Sequence, residues 1–430
     1  MELLLGDCLD RLKDLEDNSI DAIVTDPPYG LSFMGKKWDY DVPSVDIWKE
    51  CLRVLKPGGY LLSFAGTRTQ HRMAVNIEDA GFEIRDMIAW VYGSGFPKSL
   101  NIGKAIDKML GNERELISVG GKCGVFAHAG DGREQDINNY QAVTTKGNSE
   151  WEGWGTALKP ALEPITVARK PLGEKTVAEN CLKWGVGGIN IDGCRVGTEG
   201  ITTNGKGKQD GNTPIVPQSP DFVGETHIGR FPANLIHDGS DEVVGLFPQN
   251  KSTANVRHNK ASENTCMSGK NYERDGYGYS DSGSAARFFY CAKASKRERN
   301  IGCEGLETSK KFTAGNYSQS PTCKTCDLTL NGTNDHSECS GEVYYKEMES
   351  KNTKNNHPTV KPIALMEYLV KLVSREGQVV LDPFMGSGTT GMACKKLDRD
   401  FIGIEMMPEY MEIAKARIDG VKKENQLNMI

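Results

Sequence analysis

A rigid acidic turn follows directly on an apolar run near the start of the chain. The run Ile20–Thr25 leads straight into Asp26-Pro27-Pro28-Tyr29. Two prolines fix the backbone, remove two N–H donors and leave carbonyl oxygens able to accept hydrogen bonds. A carboxylate, a carbonyl and an aromatic ring on one turn suit a planar group that carries an exocyclic amine. The alternative is an ordinary Pro-Pro turn whose aspartate caps a neighbouring segment.

A glycine-rich segment, Asp382–Gly391, lies between a predicted strand and a predicted helix near the other end of the chain. Gly386, Gly388 and Gly391 fit the G-x-G-x-x-G spacing, and Glu405 ends the next predicted strand. Glycines permit a tight turn and close approach of a ligand, while an acidic residue there can accept hydrogen bonds from ribose hydroxyls. The segment predicts a nucleoside-containing ligand, so a nicotinamide-dependent oxidoreductase must be considered. A glycine turn that serves packing alone would give the same spacing.

Two residue pairs late in the chain have the spacing of zinc ligands. Cys323 and Cys326 form one pair, and His336 and Cys339 form the other. Pairs with two intervening residues suit tetrahedral zinc, because each pair can wrap the ion with one turn. Since the surrounding sequence is poor in apolar residues, a metal would supply stability. We expect a structural zinc loop at residues 323–339; the alternative is a surface loop with reduced thiols.

Both ends of the chain alternate short apolar runs with amphipathic helical patterns. This alternation predicts a parallel sheet with helices on its faces. In the N-terminal zone, Pro57-Gly58-Gly59 is expected to stop a helix at Val45–Leu55. The predicted strands are Leu3–Leu5, Ile20–Thr25, Tyr60–Phe64, Met87–Tyr92, Gln378–Leu381 and Phe401–Ile404; the C-terminal helices are Pro362–Val373, Thr389–Lys396 and Pro408–Val421.

Residues 93 to about 350 form a middle zone of a different kind. They are rich in Gly, Asn, Ser, Thr and Lys, and their apolar islands at Pro164–Ala168 and Phe288–Ala292 predict two further strands. The rest of this zone is expected to be rich in loops. Two α/β zones that flank such a middle predict one sheet built from both ends of the chain.

Together these motifs resemble the amino-methyltransferases of DNA, which carry a (D/N/S)-P-P-(Y/F/W) motif and a glycine-rich S-adenosylmethionine motif. Here the acidic turn precedes the glycine segment by about 350 residues, which is the motif order of the β class of that family. Gly6-Asp7 and His357-Pro358-Thr359-Val360-Lys361-Pro362 are also typical of the class. The segments Ala157–Pro164 and Ala294–Asn300 resemble phage and prophage members.

The resemblance implies an α/β fold with a Rossmann-like S-adenosylmethionine-dependent methyltransferase sheet, circularly permuted, and a large loop-rich target-recognition insertion. The C-terminal strands 378–381 and 401–404 would be the first two of the family order. The strands at 1–5, 20–25 and 60–64 would follow, and 87–92 and 165–168 would close the sheet as an antiparallel hairpin. We expect catalytic parts at residues 1–172, with an excursion at 95–157, and at 345–430, and target recognition at 173–344.

The resemblance further implies methyl transfer from S-adenosylmethionine to an exocyclic amine of a base flipped out of duplex DNA. Aspartate at the head of the motif favours N6 of adenine over N4 of cytosine, where serine is more common. The chain contains no Pro-Cys dipeptide, which cytosine-C5 methyltransferases use for a covalent nucleophile. A catalytically silent DNA-binding modification subunit is a further possibility, as is a glutamine methyltransferase, which usually has Asn in place of Asp.

By the same resemblance, each motif residue receives a role. In the catalytic turn Asp26-Pro27-Pro28-Tyr29, Asp26 and the Pro27 carbonyl would hold the two amine hydrogens, and Tyr29 would stack on the base. Asp382 would contact the ammonium group of S-adenosylmethionine, Glu405 the ribose and Asp7 the adenine. Phe384, Gly386, Ser387, Gly388 and Thr389 would shape the methionine pocket, which Lys361 and Pro362 would close.

The distribution of charge is compatible with a DNA partner. The chain has 52 basic and 58 acidic residues and a net charge of −6, which excludes a histone-like protein that binds nucleic acid by bulk charge. Residues 1–90 carry the acidic excess, whereas residues 251–311 carry 12 basic and 7 acidic side chains. Five basic residues there could neutralise phosphates or form a solvated helix face: Arg287, Lys293, Lys296, Arg297 and Arg299.

Partners and compartment follow from the same resemblance and from composition. We expect double-stranded DNA, a homodimer and a separate cognate restriction endonuclease as partners. No apolar run approaches 18 residues, so no transmembrane helix is expected. The 12 scattered cysteines and the lack of a secretion signal predict reduced thiols in a cytoplasm.

Overall fold

The structure is a computed structural model of the 430-residue chain. It describes residues 1–31, 39–95, 99–122, 141–203, 225–252, 281–292, 298–306, 319–323, 343–347, 355, 357 and 359–421. The helices are α1 (Cys8–Lys13), α2 (Val45–Val54), α3 (Gln70–Asp79), α4 (Ile102–Leu110), α5 (Val177–Trp184), α6 (Asp241–Val244), α7 (Ile363–Val373), α8 (Thr389–Lys396) and α9 (Pro408–Gly420). Short 3-10 turns lie at Asp192–Cys194, Ala285–Phe288 and Glu298–Asn300.

Strands from both ends of the chain form one central sheet. The strands are β1 (Glu2–Leu5), β2 (Ile20–Thr25), β3 (Leu55–Phe64), β4 (Glu83–Val91), β5 (Glu115–Lys122), β6 (Gln141–Lys146), β7 (Leu162–Arg169), β8 (Val196–Thr203), β9 (Glu225–Arg230), β10 (Leu235–His237), β11 (Gln249–Ser252), β12 (Asp281–Ser284), β13 (Tyr290–Cys291), β14 (Gln319–Cys323), β15 (Val343–Glu347), β16 (Val379–Asp382) and β17 (Asp400–Glu405). Nine of them pair in the order β1-β17-β16-β2-β3-β7-β4-β10-β13. The remaining eight form four two-stranded sheets.

The strand order confirms the circularly permuted, Rossmann-like sheet that the sequence predicts. The C-terminal strands β16 and β17 insert between β1 and β2, and the neighbouring pairs from β1 to β3 are all parallel. Strand β7 runs antiparallel to both β3 and β4. Consequently the carboxyl ends of β2, β3, β4 and β16 and the amino end of β7 lie at the same edge of the sheet.

Alternate side chains of the central strands enter two hydrophobic cores, one on each face of the sheet. Ala22 and Val24 of β2 pack in the core that includes α7, α8 and α9. Ile23, between them, packs in the opposite core with Trp48 of α2 and with apolar residues of α1 and α3. Because both faces of β2 are covered, the whole strand is buried, as expected of a central parallel strand.

The structure differs from the sequence prediction at the start of β3. Pro57-Gly58-Gly59 does not stop α2; the helix ends at Val54 and these residues belong to the strand. Gly58 has φ +82° and its N–H donates to the carbonyl oxygens of Lys170 and Pro171. The pairing of β2 with β3 changes register between Ile20 and Ala22. A glycine with positive φ allows the backbone of β3 to bend at this change of register and then continue as a strand.

The sheet also extends further than the sequence indicates. β10, which pairs parallel with β4, is absent from the predicted elements, because a three-residue strand gives too short an apolar pattern. The island Phe288–Ala292 contains β13, but only Tyr290 and Cys291 are in the strand, after a 3-10 turn. β13 pairs parallel with β10 and ends the sheet.

The chain divides into two compact units. One comprises residues 1–94, 161–303 and 359–430 and holds the nine-stranded sheet; the other comprises residues 95–160 and 304–358. In the second unit, Arg114 forms ion pairs with Asp107 of α4 and with Glu152. The predicted division at residues 172 and 344 stays a prediction. Within the described residues, no helix is long and apolar enough to cross a membrane.

Asp21 joins the N-terminal and C-terminal parts of the sheet. Its buried carboxylate accepts hydrogen bonds from the Val379 N–H (2.8 Å) and from the Lys56 ammonium (2.6 Å). We expect Asp21→Ala to lower the free energy of unfolding by about 2–4 kcal/mol, because a backbone N–H and an ammonium lose their acceptor. Asp17→Ala is the matched control: Asp17 is 69% exposed and pairs with Arg53, so its loss should cost at most about 0.5 kcal/mol. Denaturant unfolding measures both, and equal losses would contradict the role of Asp21.

Candidate active site

The Asp-Pro-Pro-Tyr turn begins where β2 leaves the sheet, and two side chains hold its backbone. Asp39, itself buried, accepts hydrogen bonds from the N–H groups of Tyr29 (2.7 Å) and Gly30 (2.9 Å) through one carboxylate oxygen. The Thr69 hydroxyl donates to the Tyr29 carbonyl (2.7 Å). Backbone N–H groups and a backbone carbonyl oxygen of the turn therefore all have hydrogen-bond partners. These bonds fix the position of Asp26 at the start of the turn.

The Asp26 carboxylate is engaged at both oxygens. Oδ1 accepts from the Tyr29 hydroxyl (2.7 Å), and Oδ2 accepts from the Lys361 ammonium (2.6 Å). Lys361 precedes α7, so it comes from the opposite end of the chain. Its ammonium also lies 4.9 Å from the centre of the Phe64 ring and 5.4 Å from that of Tyr29. The structure thus brings Asp26, Tyr29 and Lys361 together.

A second carboxylate, that of Glu163, enters the same site from β7. Its Oε2 lies 3.0 Å from the Tyr29 hydroxyl and 3.2 Å from the Lys361 ammonium. Because β7 is antiparallel, its first residues lie at the edge where β2 ends. The Tyr92 hydroxyl, next to β4, also hydrogen-bonds Glu163. Asp26, Glu163 and Lys361 form a cluster of two carboxylates and one ammonium, which we call the acidic cluster.

The pKa values of Lys361 and of the two tyrosines beside the acidic cluster are all raised. Burial, together with the negative charges of Asp26 and Glu163, raises the pKa of Tyr29 well above its usual value. Burial alone would lower the pKa of Lys361, but the charges of Asp26 and Glu163 outweigh it and raise this pKa. Burial and Glu163 also raise the pKa of Tyr92. Near neutral pH, the tyrosines are therefore hydroxyl donors and Lys361 is a cation.

The glycine segment begins at Asp382, which is tied into the protein by three hydrogen bonds. Oδ1 accepts from the Thr25 hydroxyl (2.6 Å) and the Phe384 N–H (3.1 Å), and Oδ2 accepts from the Thr390 hydroxyl (2.5 Å). Burial raises its pKa to about 6, although these bonds act in the opposite direction. Asp382 is buried with both oxygens bonded internally. Its predicted contact with the ammonium group of S-adenosylmethionine stays a prediction.

Glu405, the last residue of β17, contacts the glycine segment from the neighbouring strand. Its two oxygens accept from the N–H groups of Gly386 (2.9 Å) and Met407 (2.8 Å). Burial raises the pKa of Glu405 to about 7, despite the opposing effect of these backbone bonds. A partly desolvated carboxylate at the end of a parallel strand, beside a glycine turn, suits recognition of neighbouring hydroxyl groups.

Two of the three motif glycines serve packing against α9. Gly388 has φ +79°, and a Cβ placed on it would meet Ala414 at 3.0 Å. A Cβ on Gly391 would meet the Ile418 side chain at 2.5 Å. Arg417, also on α9 and fully buried, donates to the carbonyl oxygen (2.6 Å) and hydroxyl (2.8 Å) of Ser387. Burial lowers the pKa of Arg417 to about 10.

The remaining predicted residues are placed as follows. Asp7 caps α1 by accepting from the Leu9 N–H (2.9 Å), and β1 lies beside β17 next to Glu405. Pro362 is buried at the start of α7, and the Phe384 ring contacts Trp48 edge-on. The Thr389 hydroxyl accepts from Arg417 (3.1 Å).

The predicted zinc loop is not tested by the structure. Cys326, His336 and Cys339 lie outside the described residues, and Cys323 is described only as the last backbone position of β14. The residues that are described contain no group of three or more His, Cys, Asp or Glu side chains that could hold a metal ion.

Two of the five basic residues proposed to meet phosphate are described, and both engage the protein. Arg287 donates to the Ser284 carbonyl (2.5 Å) and stacks on the Phe288 ring at 4.4 Å. Burial lowers the pKa of Arg299. Lys293, Lys296 and Arg297 lie outside the described residues.

Three residues with evident roles in the site were not predicted from sequence: Glu163, Asp39 and Arg417. Glu163 directly precedes a predicted strand. An acidic residue beside a buried apolar run is the signal that could have identified it. Asp39 and Arg417 act through backbone groups of distant segments, for which no local pattern exists.

The arrangement places two kinds of binding group side by side. The acidic cluster offers carboxylate oxygens at the end of β2, and Tyr29 offers an aromatic ring beside them. The glycine segment offers a buried carboxylate and a tight turn at the ends of β16 and β17. Such a site suits a planar amine next to a nucleoside-containing ligand.

Comparison with known proteins gives a family. The sequence model of a family described as DNA methylase, the N6/N4 methyltransferases, matches residues 20–416. Two curated relatives are the type II methyltransferases M.HpaI of Haemophilus parainfluenzae, 54% identical over 63 residues, and M2.DpnII of Streptococcus pneumoniae, 47% identical over 72 residues. These stretches cover 15% and 17% of this chain, and only 20% and 26% of the respective relatives.

Solved structures resemble the chain along most of its length at low identity. PvuII DNA methyltransferase, named as cytosine-N4-specific, aligns over 98% of this chain and 86% of that one, with 13% identity and a TM-score of 0.41. M1.HpyAVI in complex with SAM aligns over 97% and 98%, with 16% identity and a TM-score of 0.37. At these scores neither alignment bears on individual site residues.

The hydrogen bond between Thr25 and Asp382 connects the two halves of the site. Thr25→Val keeps the shape of the side chain but removes the donor, so we expect a loss of about 1–2 kcal/mol in the free energy of unfolding. Thr166→Val on β7 is the matched control, because Thr166 is 1% exposed and its hydroxyl has no hydrogen-bond partner in the described part of the chain. Its replacement should be neutral or slightly stabilising. Equal destabilisation by the two variants, measured by denaturant unfolding, would contradict the connection.

Proposed function

We propose that this chain, which belongs to the DNA methylase family of N6/N4 methyltransferases, transfers a methyl group from S-adenosylmethionine to the N6 amine of adenine in duplex DNA. The observation that carries this proposal is the adjacency of the acidic turn and the glycine segment. Thr25 and Asp382, one residue before the turn and at the head of the segment, are hydrogen-bonded to each other. Neither a nicotinamide-dependent oxidoreductase nor a silent DNA-binding subunit accounts for that adjacency together with an intact acidic turn.

The residues at the glycine segment fit S-adenosylmethionine. Glu405 is a buried carboxylate whose pKa is raised to about 7, and such a group gains from hydroxyl donors that replace lost water. Gly386, which donates its N–H to Glu405, has φ +54°, a backbone conformation that glycine adopts without strain. We assign Glu405 to the ribose of S-adenosylmethionine, Asp7 to its adenine amine, and Phe384–Thr389 to its methionine portion.

S-adenosylmethionine, when bound, supplies a methyl group already activated by its positive sulfur. The protein then has to bind, align and neutralise charge. Asp26 and the Pro27 carbonyl would accept the two amine hydrogens, which would take the nitrogen lone pair out of conjugation with the base ring and make it available to the methyl group. On transfer, the nitrogen would bond to the methyl carbon, the electrons of the carbon–sulfur bond would pass to sulfur, and the amine would lose one proton. Asp26, hydrogen-bonded to that amine, is the acceptor we assign for this proton.

Tyr29 would supply the aromatic surface on which the flipped base stacks. Its ring is half-buried beside Phe64 and Lys361, and its backbone is held by Asp39 and Thr69. A fixed ring costs little further entropy when a base packs against it.

The choice of adenine rests on the aspartate at the head of the turn. The family contains enzymes for both exocyclic amines, and a similar solved structure is named as cytosine-N4-specific. Liquid chromatography with mass spectrometry of nucleosides from DNA incubated with the protein distinguishes the two products. N4-methylcytosine without N6-methyladenine would overturn the adenine assignment, and the absence of both would overturn the proposed function.

The partners are proposed from the family resemblance, and the metal is proposed from residue spacing. Duplex DNA is the proposed substrate, a homodimer is the proposed assembly, and the type II names of the relatives support a separate cognate endonuclease. The zinc at Cys323, Cys326, His336 and Cys339 stays a prediction from spacing. Elemental analysis that finds under about 0.2 zinc per chain would argue against it.

Asp26 should be required for transfer but not for binding of the nucleoside ligand. We expect Asp26→Ala to slow single-turnover methylation at least about 10²-fold, because the amine loses its charged acceptor. The dissociation constant of S-adenosylhomocysteine should change less than about threefold. Asp46→Ala, at an exposed position on α2, is the control and should retain the parent rate. A fully active Asp26→Ala protein would refute the assigned mechanism.

Glu405 should make binding of the nucleoside ligand dependent on pH. Its pKa is raised to about 7, so the protonated form accumulates below neutrality and the acceptor for ribose hydroxyls loses its charge. We expect S-adenosylhomocysteine to bind about 5–10-fold more weakly at pH 6 than at pH 8. In Glu405→Gln, binding should be weaker and should vary less between these pH values. Calorimetry with identical pH dependence in both proteins would exclude Glu405 as the source.

A further inference from the structure

The acidic cluster presents a conflict for the proposed function. Asp26 would accept a hydrogen bond from the substrate amine, yet each of its oxygens already accepts one, from the Tyr29 hydroxyl at 2.7 Å and from the Lys361 ammonium at 2.6 Å, and the ion pair with Lys361 weakens the carboxylate as an acceptor. Lys361 is an ion-paired cation whose side chain is 9% exposed, so moving it into water would break its contacts. An acceptor that is already within reach is needed if Asp26 is to be released.

Glu163 meets this requirement with a single oxygen. Its Oε2 lies 3.2 Å from the Lys361 ammonium and 3.0 Å from the Tyr29 hydroxyl, the same two donors that Asp26 holds. A tyrosine hydroxyl has one hydrogen, so it donates to one carboxylate at a time. The shorter distances to Asp26 show which carboxylate is preferred in this state.

The position of Glu163 is set by the sheet. β7 is paired on both sides, with Ile165 opposite Phe64 of β3 and Glu163 opposite Trp90 of β4. The Glu163 and Asp26 side chains are 20% and 21% exposed, so the two carboxylates are about equally shielded from water. A cation shared between equally shielded carboxylates can move from one to the other without a large change in solvation.

We propose that Glu163 is a positioning residue that takes over Lys361 and the Tyr29 hydroxyl when Asp26 accepts the substrate amine. The inference rests on the proposed function, because it supplies the step that frees the catalytic carboxylate. The acidic cluster keeps one cation and two anions before and after the exchange, so its net charge is unchanged. Only hydrogen-bond partners change, over distances of less than about 1 Å.

Substitutions of Glu163 distinguish two roles. In the first, Glu163 takes Lys361 over from Asp26 during the reaction; in the second, it only holds Lys361 in place. Glutamine has the size of glutamate and an oxygen that accepts from Lys361, so Glu163→Gln preserves the second role but removes the charge that attracts Lys361 from Asp26. We expect Glu163→Gln to slow single-turnover methylation about 10–100-fold, with the dissociation constant of S-adenosylhomocysteine within about threefold of the parent. Glu163→Asp, which keeps the charge, should be faster than Glu163→Gln. A parent-like rate for Glu163→Gln, or a slower rate for Glu163→Asp, would overturn the proposal.

A second measurement needs no methyl transfer. The free energies of unfolding of the parent protein, of Asp26→Asn, of Lys361→Met and of their double variant give the coupling free energy between these two residues. We expect this coupling to be larger when Glu163 is replaced by Gln, since no second carboxylate then competes for Lys361. An unchanged coupling would overturn the exchange. If Lys361→Met does not fold, Lys361→Gln takes its place in the cycle.

The two measurements distinguish failure of this inference from failure of the proposed function. A parent protein that binds no S-adenosylhomocysteine and methylates no DNA would refute the function, whereas the coupling would still report on Glu163. A parent protein that methylates DNA, with a fully active Glu163→Gln variant, would refute the exchange alone.

Discussion

The hydrogen bond from Thr25 to Asp382 is the interaction on which the site depends, because it joins residues 357 positions apart in sequence. Strand β2 carries the acidic turn and β16 carries the glycine segment, and the two strands are parallel neighbours in the centre of the sheet. Their carboxyl ends therefore meet, and the acidic turn and the glycine segment become adjacent. Asp21 joins the same two strands nearer their amino ends through Val379. Two buried carboxylates thus fix the alignment that the permuted chain requires.

Burying these carboxylates has a cost that the protein offsets in different ways. Asp21 has a cation, Lys56, within 2.6 Å. Asp382 has hydroxyl and amide donors at its oxygens, and its pKa is raised to about 6. Glu405 is held by backbone N–H groups, and its pKa is raised to about 7. Asp382 and Glu405 both lie at the carboxyl ends of their strands, where a buried carboxylate with a raised pKa gains from a new donor.

The sequence predicts the architecture well because its strongest patterns are local. Buried runs such as Ile20–Thr25 define strands, and the order of the two motifs predicts the permuted sheet that is observed. The site is predictable where a motif carries it, as at Asp26. It is not predictable where geometry brings in a residue from elsewhere: Glu163 reaches Asp26 only because β7 runs antiparallel. The packing role of Gly388 depends on where α9 lies, which the spacing of the glycines alone does not reveal.

The way Asp39 holds the acidic turn has a consequence for how such proteins can diversify. One oxygen of Asp39 accepts from the N–H groups of Tyr29 and Gly30, so the chain returns to the turn nine residues after leaving it. The acidic turn thus depends on a residue outside its own motif. As such proteins diversify, Asp39 and the turn must therefore change together. A chain could keep every residue of the motif and lose the geometry of the turn by a substitution at Asp39 alone.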